Sequence, residues 1–332
     1  MTKFLSAAAI VILLGCNSFQ KTPDISSIEV PLTTVRYEQD FFAIDTLRLD
    51  VSLQKLAGQH PLFTQDFLYN ILATTPQTAA TDVPQFINAY QALYKQTGIK
   101  YASIAKQEAA IKQGLRYVKY YFPDYKLPSK LITFIGPINS FGNIITIDAL
   151  AIGLQMYLGK NDPIYVSEEG QSLYPIYVSR RFEPSYMATN CIKNIRDDMF
   201  PLQDAGAPLC EQMVEAGKRL YFLKQVLPSE QDSLVTGYTA AQLEGCYKSE
   251  KDIWSFFIQN NLLYQKDPSL IGDYMQDGPN TAVFGDASPG FIGQFVGYRI
   301  VEAWLQKNKE LPLDKVMKTP AKIIFEQAKY KP

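Results

Sequence analysis

The first residue that invites chemistry is Cys16. It closes Leu13-Leu14-Gly15-Cys16, after a positive charge at Lys3 and an apolar run over residues 4–14. A thiol in that setting, preceded by the small Gly15, is the nucleophile that accepts a diacylglyceryl group in a bacterial lipoprotein signal, with cleavage just ahead of it. The run is too short to span a bilayer, which takes about 20 apolar residues. Acyl chains contribute about 0.8 kcal/mol per buried CH2, so two or three of them hold a protein firmly at a membrane. The expected organisation is therefore a removed signal peptide over 1–15, a lipidated tether over 16–34 and a single domain over 35–332. The expected location is the cell envelope. No acidic run follows Cys16, which favours a body facing the periplasm.

The remaining candidates are sparse. The chain has one histidine, His60, in Gly-Gln-His-Pro-Leu-Phe. One histidine excludes a two-histidine metal site within the chain, and this one reads as a turn residue ahead of a helix. Cys191, Cys210 and Cys246 remain after Cys16 is committed to lipid, an odd number that allows at most one disulfide. They read as small buried hydrophobes. Arg180 and Arg181 form a doublet just ahead of Glu183 and could clamp a carboxylate. The simpler reading, and the one expected, is a salt bridge to Glu183, Asp197 or Glu215. Glu215 is either a functional carboxylate or a partner of Lys218 or Arg219. Gly278-Pro279 and Ser288-Pro289-Gly290 read as turn and cap residues beside any cleft. No catalytic set, metal site or cofactor site emerges.

Composition agrees with a large folded body. Of 332 residues 47% are hydrophobic, enough for a sizeable core, and the formal net charge of -1 carries no electrostatic footprint for nucleic acid. The 21 tyrosines and 19 phenylalanines are expected mostly in that core, with hydroxyls at its edge.

The elements that must position these residues are mainly helical. Pro61 to Ala73 carries apolar residues at helical spacing. Asp82 is expected to cap a second helix, and Ile99 to Phe122 to form a long amphipathic one ended by Pro123. The period then changes: Lys130 to Gly136 and Asn143 to Asp148 are short and β-branched, so a small sheet is expected. Leu150 to Gly159 fits strand or helix. Further helices are expected from Glu183-Pro184 to Phe200, along the stripe Leu209, Met213, Ala216, Leu220, Leu223 and Leu227, and from a capping box at Thr239 and Gln242 toward Leu263. Ser288-Pro289 is expected to start a helix over Phe291 to Asn308, and Thr319-Pro320 the last one. The fold class is α+β, mainly helical with one small β-sheet.

Several stretches together resemble the gliding motility lipoprotein GldB family of the Bacteroidetes. They are Asp148-Ala-Leu-Ala-Ile-Gly-Leu-Gln-Met-Tyr-Leu-Gly159, Tyr174-Pro-Ile-Tyr-Val-Ser-Arg-Arg-Phe-Glu-Pro184 and Glu215-Ala-Gly-Lys-Arg-Leu-Tyr-Phe-Leu223. With them go Gly278-Pro279, Ser288-Pro-Gly-Phe-Ile-Gly-Gln-Phe-Val-Gly-Tyr-Arg-Ile-Val-Glu-Ala-Trp304 and the closing Lys329-Tyr-Lys-Pro332. The resemblance covers most of the mature chain. It implies a non-catalytic envelope lipoprotein that supports gliding or the associated protein secretion, working through other envelope proteins. That family in turn looks like zinc peptidases with an HExxH helix, which implies a zincin-like architecture. The corresponding helix, Tyr186 to Met199, contains no histidine, and Glu215 stands where a third ligand would come from a later helix. The resemblance thus implies a pseudopeptidase whose relict cleft involves Arg180, Arg181, Glu183 and Glu215. Such a cleft could instead hold a peptide or glycan. An active hydrolase would need a metal or nucleophile that the sequence does not display.

Overall fold

The computed structural model describes residues 22–332. The signal run and Cys16 lie outside the described residues. The sheet grows from short β-branched and apolar segments. β1 spans Thr33–Arg36, β2 Lys130–Phe134, β3 Asn143–Ile145 and β4 Ala149–Gly153, in the order β1-β2-β4-β3. β1 and β4 both pair in parallel with β2, placing Thr34 opposite Leu131 and Ile132 opposite Ala151. β3 returns antiparallel along β4, with Asn143 opposite Ile152. β4 is buried along its whole length, as its unbroken Ala-Leu-Ala-Ile-Gly run requires. The segment that fitted either period thus divides: β4 comes first, then a 3-10 turn over Leu154–Met156.

The helices that matter for the site are α1 (Tyr37–Phe42), α2 (Ala79–Lys100), α3 (Ala105–Tyr121), α4 (Met187–Met199) and α5 (Leu209–Val226). They continue with α6 (Ala240–Lys248), α7 (Glu250–Gln259), α8 (Ile292–Leu305) and α9 (Ala321–Ala328). α3 lies against α4, and α4 also touches β3. α5 and α8 cross at the centre of the helical half, where Gly217 and Gly297 let the two backbones meet. Buried residues of sheet and helices belong to one hydrophobic cluster, from Ile25 to Ala328.

Several expectations need correction. The packed body begins ahead of residue 35: Ile25, Val30 and Leu32 are buried, and β1 starts at Thr33. The tether expected over 16–34 therefore does not reach that far. β1 escaped notice because its partner strand is distant in sequence and leaves no local signal. The helix expected from Ile99 to Phe122 is two helices that break at Tyr101. That side chain is buried, and its hydroxyl donates to the carbonyl of Tyr157. α2 begins three residues ahead of Asp82, after a turn closed by Thr75 and Thr78. The capping box at Thr239 and Gln242 is present, with bonds of 3.1 and 3.0 Å, but α6 stops at Lys248 and α7 follows after Ser249.

Neither expected Ser/Thr-Pro cap forms. The Ser288 hydroxyl donates to carbonyls of its own loop, at Gly285 and Thr281, and α8 starts after Phe291 in a left-handed conformation (φ 56°). The Thr319 hydroxyl donates back to Lys315 at 2.7 Å, leaving Pro320 at the cap position of α9.

Candidate cleft between two helices

α4 and α5 are placed by prolines. A 3-10 turn over Pro184–Tyr186 leads into α4, which ends at Phe200 because Pro201 disfavours helical geometry just ahead of it. Pro208 then occupies the cap position of α5. Between these helices opens a cleft of about 610 Å³, closed on its far side by the loop around Gly237, residues 266–277 and the start of α8. Its floor is apolar, with Leu220, Leu223, Val235, Ile271 and Met275. Its walls carry Arg180, Arg181, Lys193, Arg196, Arg219 and Lys266 against only Asp204 and Asp277. A chain of net charge -1 has gathered six cations in one place.

Three of these cations are committed. Arg181 pairs with Asp277, and Asp197 bridges Arg196, at 2.6 Å, and Arg219. Arg219 also donates to the carbonyl of Phe200 at 2.9 Å. Among the described residues Arg180 binds only neutral acceptors, Gln242 Oε1 at 3.2 Å and the carbonyl of Gly237 at 3.0 Å. Gly237 presents that carbonyl from a left-handed C-cap (φ 77°), and a Cβ there would lie 3.3 Å from Arg181. Lys193 forms no hydrogen bond or ion pair with any described residue, although its side chain is mostly out of solvent. Burial lowers its pKa to about 8, and nearby Arg196 and Arg181 push the same way. Burial likewise lowers the pKa of Arg180, with Arg181 second.

The two glutamates expected beside this cleft lie elsewhere. Glu183 accepts the backbone N–H of Lys160 at 3.0 Å. Glu215 pairs at 2.8 Å with Lys218, whose ammonium also donates to the carbonyls of Met317 and Thr319. That places Glu215 on the side of α5 facing the C-terminal helices, whereas Gln212, Ala216 and Arg219 face the cleft. Arg180 and Arg181 do line it, but Arg181 pairs with Asp277 rather than with any of the three partners expected. Gly290 sits at its edge, so tight against Gly278 that a Cβ would meet that backbone at 2.4 Å.

Sequence reasoning missed Lys193, Arg196, Lys266 and Asp277, and named Arg219 only as a partner for Glu215. Lys193 and Arg196 are one helical turn apart, a signal that a search for histidines passes over. On the neighbouring side of α4, Asn190 and Asn194 stand at i and i+4, the spacing of paired zinc-binding histidines. Both turn toward the sheet: Asn190 donates to the hydroxyl of Tyr157 at 3.0 Å, and Asn194 to the carbonyl of Asn143 at 3.2 Å. Among the described residues no three His, Cys, Asp or Glu side chains are grouped to hold a metal ion.

Across residues 18–332 the sequence matches the family model described as gliding motility protein GldB. The chain belongs to the GldB family. No curated protein and no solved structure matches it. Membership makes it an envelope lipoprotein associated with gliding motility. No helix among the described residues of this GldB-family chain is long and apolar enough to cross a membrane.

His60 precedes the helix Pro61–Asp66, its Nε2 2.8 Å from Asp40, and does not line the cleft. Cys191, Cys210 and Cys246 are buried free thiols. Burial raises their pKa values to about 12, 11 and 12, leaving them protonated and poorly nucleophilic.

Proposed function

We propose that this protein is a non-catalytic GldB-family lipoprotein, anchored through Cys16 and facing the periplasm, that serves gliding motility or the associated secretion machinery by contact with other envelope proteins. The family match over residues 18–332 carries the reading. The make-up of the cleft supports a contact role: its guanidinium and ammonium groups can hold an anionic group of a partner. The reading includes a pseudopeptidase ancestry. What supports that part is the contact of α4 with α5, with asparagines at the paired-histidine spacing on α4.

Gene deletion in a gliding host tests the role. Loss of gliding or secretion is expected, restored by the wild-type gene. Intact gliding and secretion after clean deletion overturns the proposal. A second reading, a periplasmic peptide- or glycan-binding lipoprotein, draws on the open volume of the cleft. Crosslinking in cells that recovers no envelope protein, with a small molecule retained by the purified protein, would select it.

A further inference from the structure

The arrangement of charge in the cleft says more than that something binds there. Arg181, Arg196 and Arg219 already have carboxylate counter-ions in Asp277 and Asp197. Lys193 and Arg180 are different. Both are partly withdrawn from water, and neither has a carboxylate partner among the described residues. A cation kept from water without a counter-ion costs stability, and that cost is recovered when a ligand brings the anion.

We infer that this cleft is a docking site for a carboxylate-bearing peptide segment of another envelope protein, with Lys193 and Arg180 receiving the carboxylate. The inference rests on the reading that the protein works by contact. A dianionic phosphate or sulfate would call for several cations without counter-ions, and here three of the four cleft arginines are already neutralised by aspartates. A glycan would call for exposed aromatic faces. The cleft offers Phe291 and Tyr238, and Tyr238 is buried with its hydroxyl bonded to the carbonyl of Phe291 at 2.8 Å. A peptide combines what the cleft complements: a carboxylate for Lys193 and Arg180, the two cations partly withdrawn from water without a carboxylate partner among the described residues, and apolar side chains for the Leu220, Leu223, Ile271 and Met275 floor. The volume of about 610 Å³ lies within the range that encloses short ligands, roughly 300–1,000 Å³. The carboxylate could be a chain's C-terminus or an acidic side chain, and the experiment separates them.

The full-length lipidated protein in detergent micelles is exposed to a bead library of random nonapeptides, made once with free C-termini and once amidated. Selected peptides are remade with a fluorophore and titrated by polarisation. Expected are peptides that share a carboxylate and lose at least tenfold in affinity when it becomes an amide. Dependence on the free terminus identifies a C-terminal ligand. Dependence on an internal Asp or Glu identifies a side-chain ligand. Lys193→Met and Arg180→Gln should each weaken binding at least tenfold, and Lys193→Arg should retain most of it. If a variant fails to fold, the acid-to-amide change in the peptide tests the same contact with wild-type protein. Selection of neutral or basic peptides, no selection at all, or equal binding by wild type and folded variants would overturn the inference. So would displacement of every selected peptide by inorganic phosphate at a concentration where acetate has no effect. Such a failure, with gliding still lost on gene deletion, removes the docking site alone. Intact gliding on deletion removes the envelope role whatever the peptides do.

Discussion

Replacing Gly297 by alanine should destabilise the whole chain through one methyl group. Gly297 lies where α8 crosses α5. A Cβ built there would sit 1.6 Å from the carbonyl oxygen of Met213 and 2.3 Å from its carbonyl carbon. Those are backbone atoms of a helix and cannot rotate aside. Relief requires the helices to separate by roughly 1.5 Å, a gap that forfeits more than about half of the dispersion wells along the crossing. Forcing a methylene into a packed core costs about 1–3 kcal/mol when side chains can adjust. Here they cannot, so roughly 4–5 kcal/mol is the better figure, offset by about 1 kcal/mol of helix propensity gained over glycine.

A net loss of about 3–4 kcal/mol follows. Unfolding entropy near 2.1 cal/mol/K per residue makes each kcal/mol worth about 1.5 °C for a chain of this length, so Tm should fall by roughly 5 °C. Differential scanning calorimetry of Gly297→Ala measures it. Gly245→Ala is the control: it lies within α6 with nothing inside 4 Å of the added Cβ, so the same change should raise Tm by about 1 °C. Equal behaviour of the two variants would refute the argument. The crossing also sets the width of the cleft, because α5 contributes Gln212, Ala216 and Arg219 to its wall and the start of α8 contributes Phe291 and Gln294.

Lys193→Met should stabilise the folded state at pH 7 by about 1–2 kcal/mol, the full shift being discounted by half because part of the lysine side chain meets cleft water. The folded pKa, about 8, lies below the unfolded value near 10.5, so the penalty is complete below pH 8 and disappears as pH rises to about 10.5. Arg181 and Arg196 enlarge the penalty while Asp197 and Asp277 oppose it, and urea unfolding of both proteins at pH 7 and pH 10.5 should show the gap closing. Cys191, Cys210 and Cys246 should resist a disulfide reagent for hours at pH 7.5 and then react, three per chain, in guanidinium chloride. Prompt labelling of the native protein would contradict their burial. Cys16→Ser should move the protein from the membrane fraction to the soluble periplasmic fraction, as read by immunoblot after fractionation.

What could be read from the sequence follows the range of the forces involved. The stripe from Leu209 to Leu227 became α5 because its signal lies within one helix, and the Thr239 capping box formed because its two bonds close within four residues. β1 depends on a partner nearly a hundred residues away, and nothing local announces it. The Ser288 and Thr319 caps failed for a related reason: a capping oxygen must face the N–H groups of the turn that follows, and both side chains are turned back, Ser288 to Gly285 and Thr281, and Thr319 to Lys315.

The cleft divides in the same way. Arg180 and Arg181 were visible as a doublet, but their neighbours come from α4, α5 and the loops around Lys266 and Asp277, which only the fold assembles. Of the two readings of Glu215, the pairing with Lys218 one turn on is the one that formed, and it keeps the carboxylate out of the cleft. α4 shows the limit most clearly. Asn190 and Asn194 occupy the positions where a zinc site would be sought, and they are turned to the sheet. Lys193 and Arg196 lie roughly 100° round the same helix and supply charge to the cleft. The charge that reaches the cleft thus comes from one face of α4, and a search confined to the neighbouring face finds only asparagines bonded to Asn143 and Tyr157.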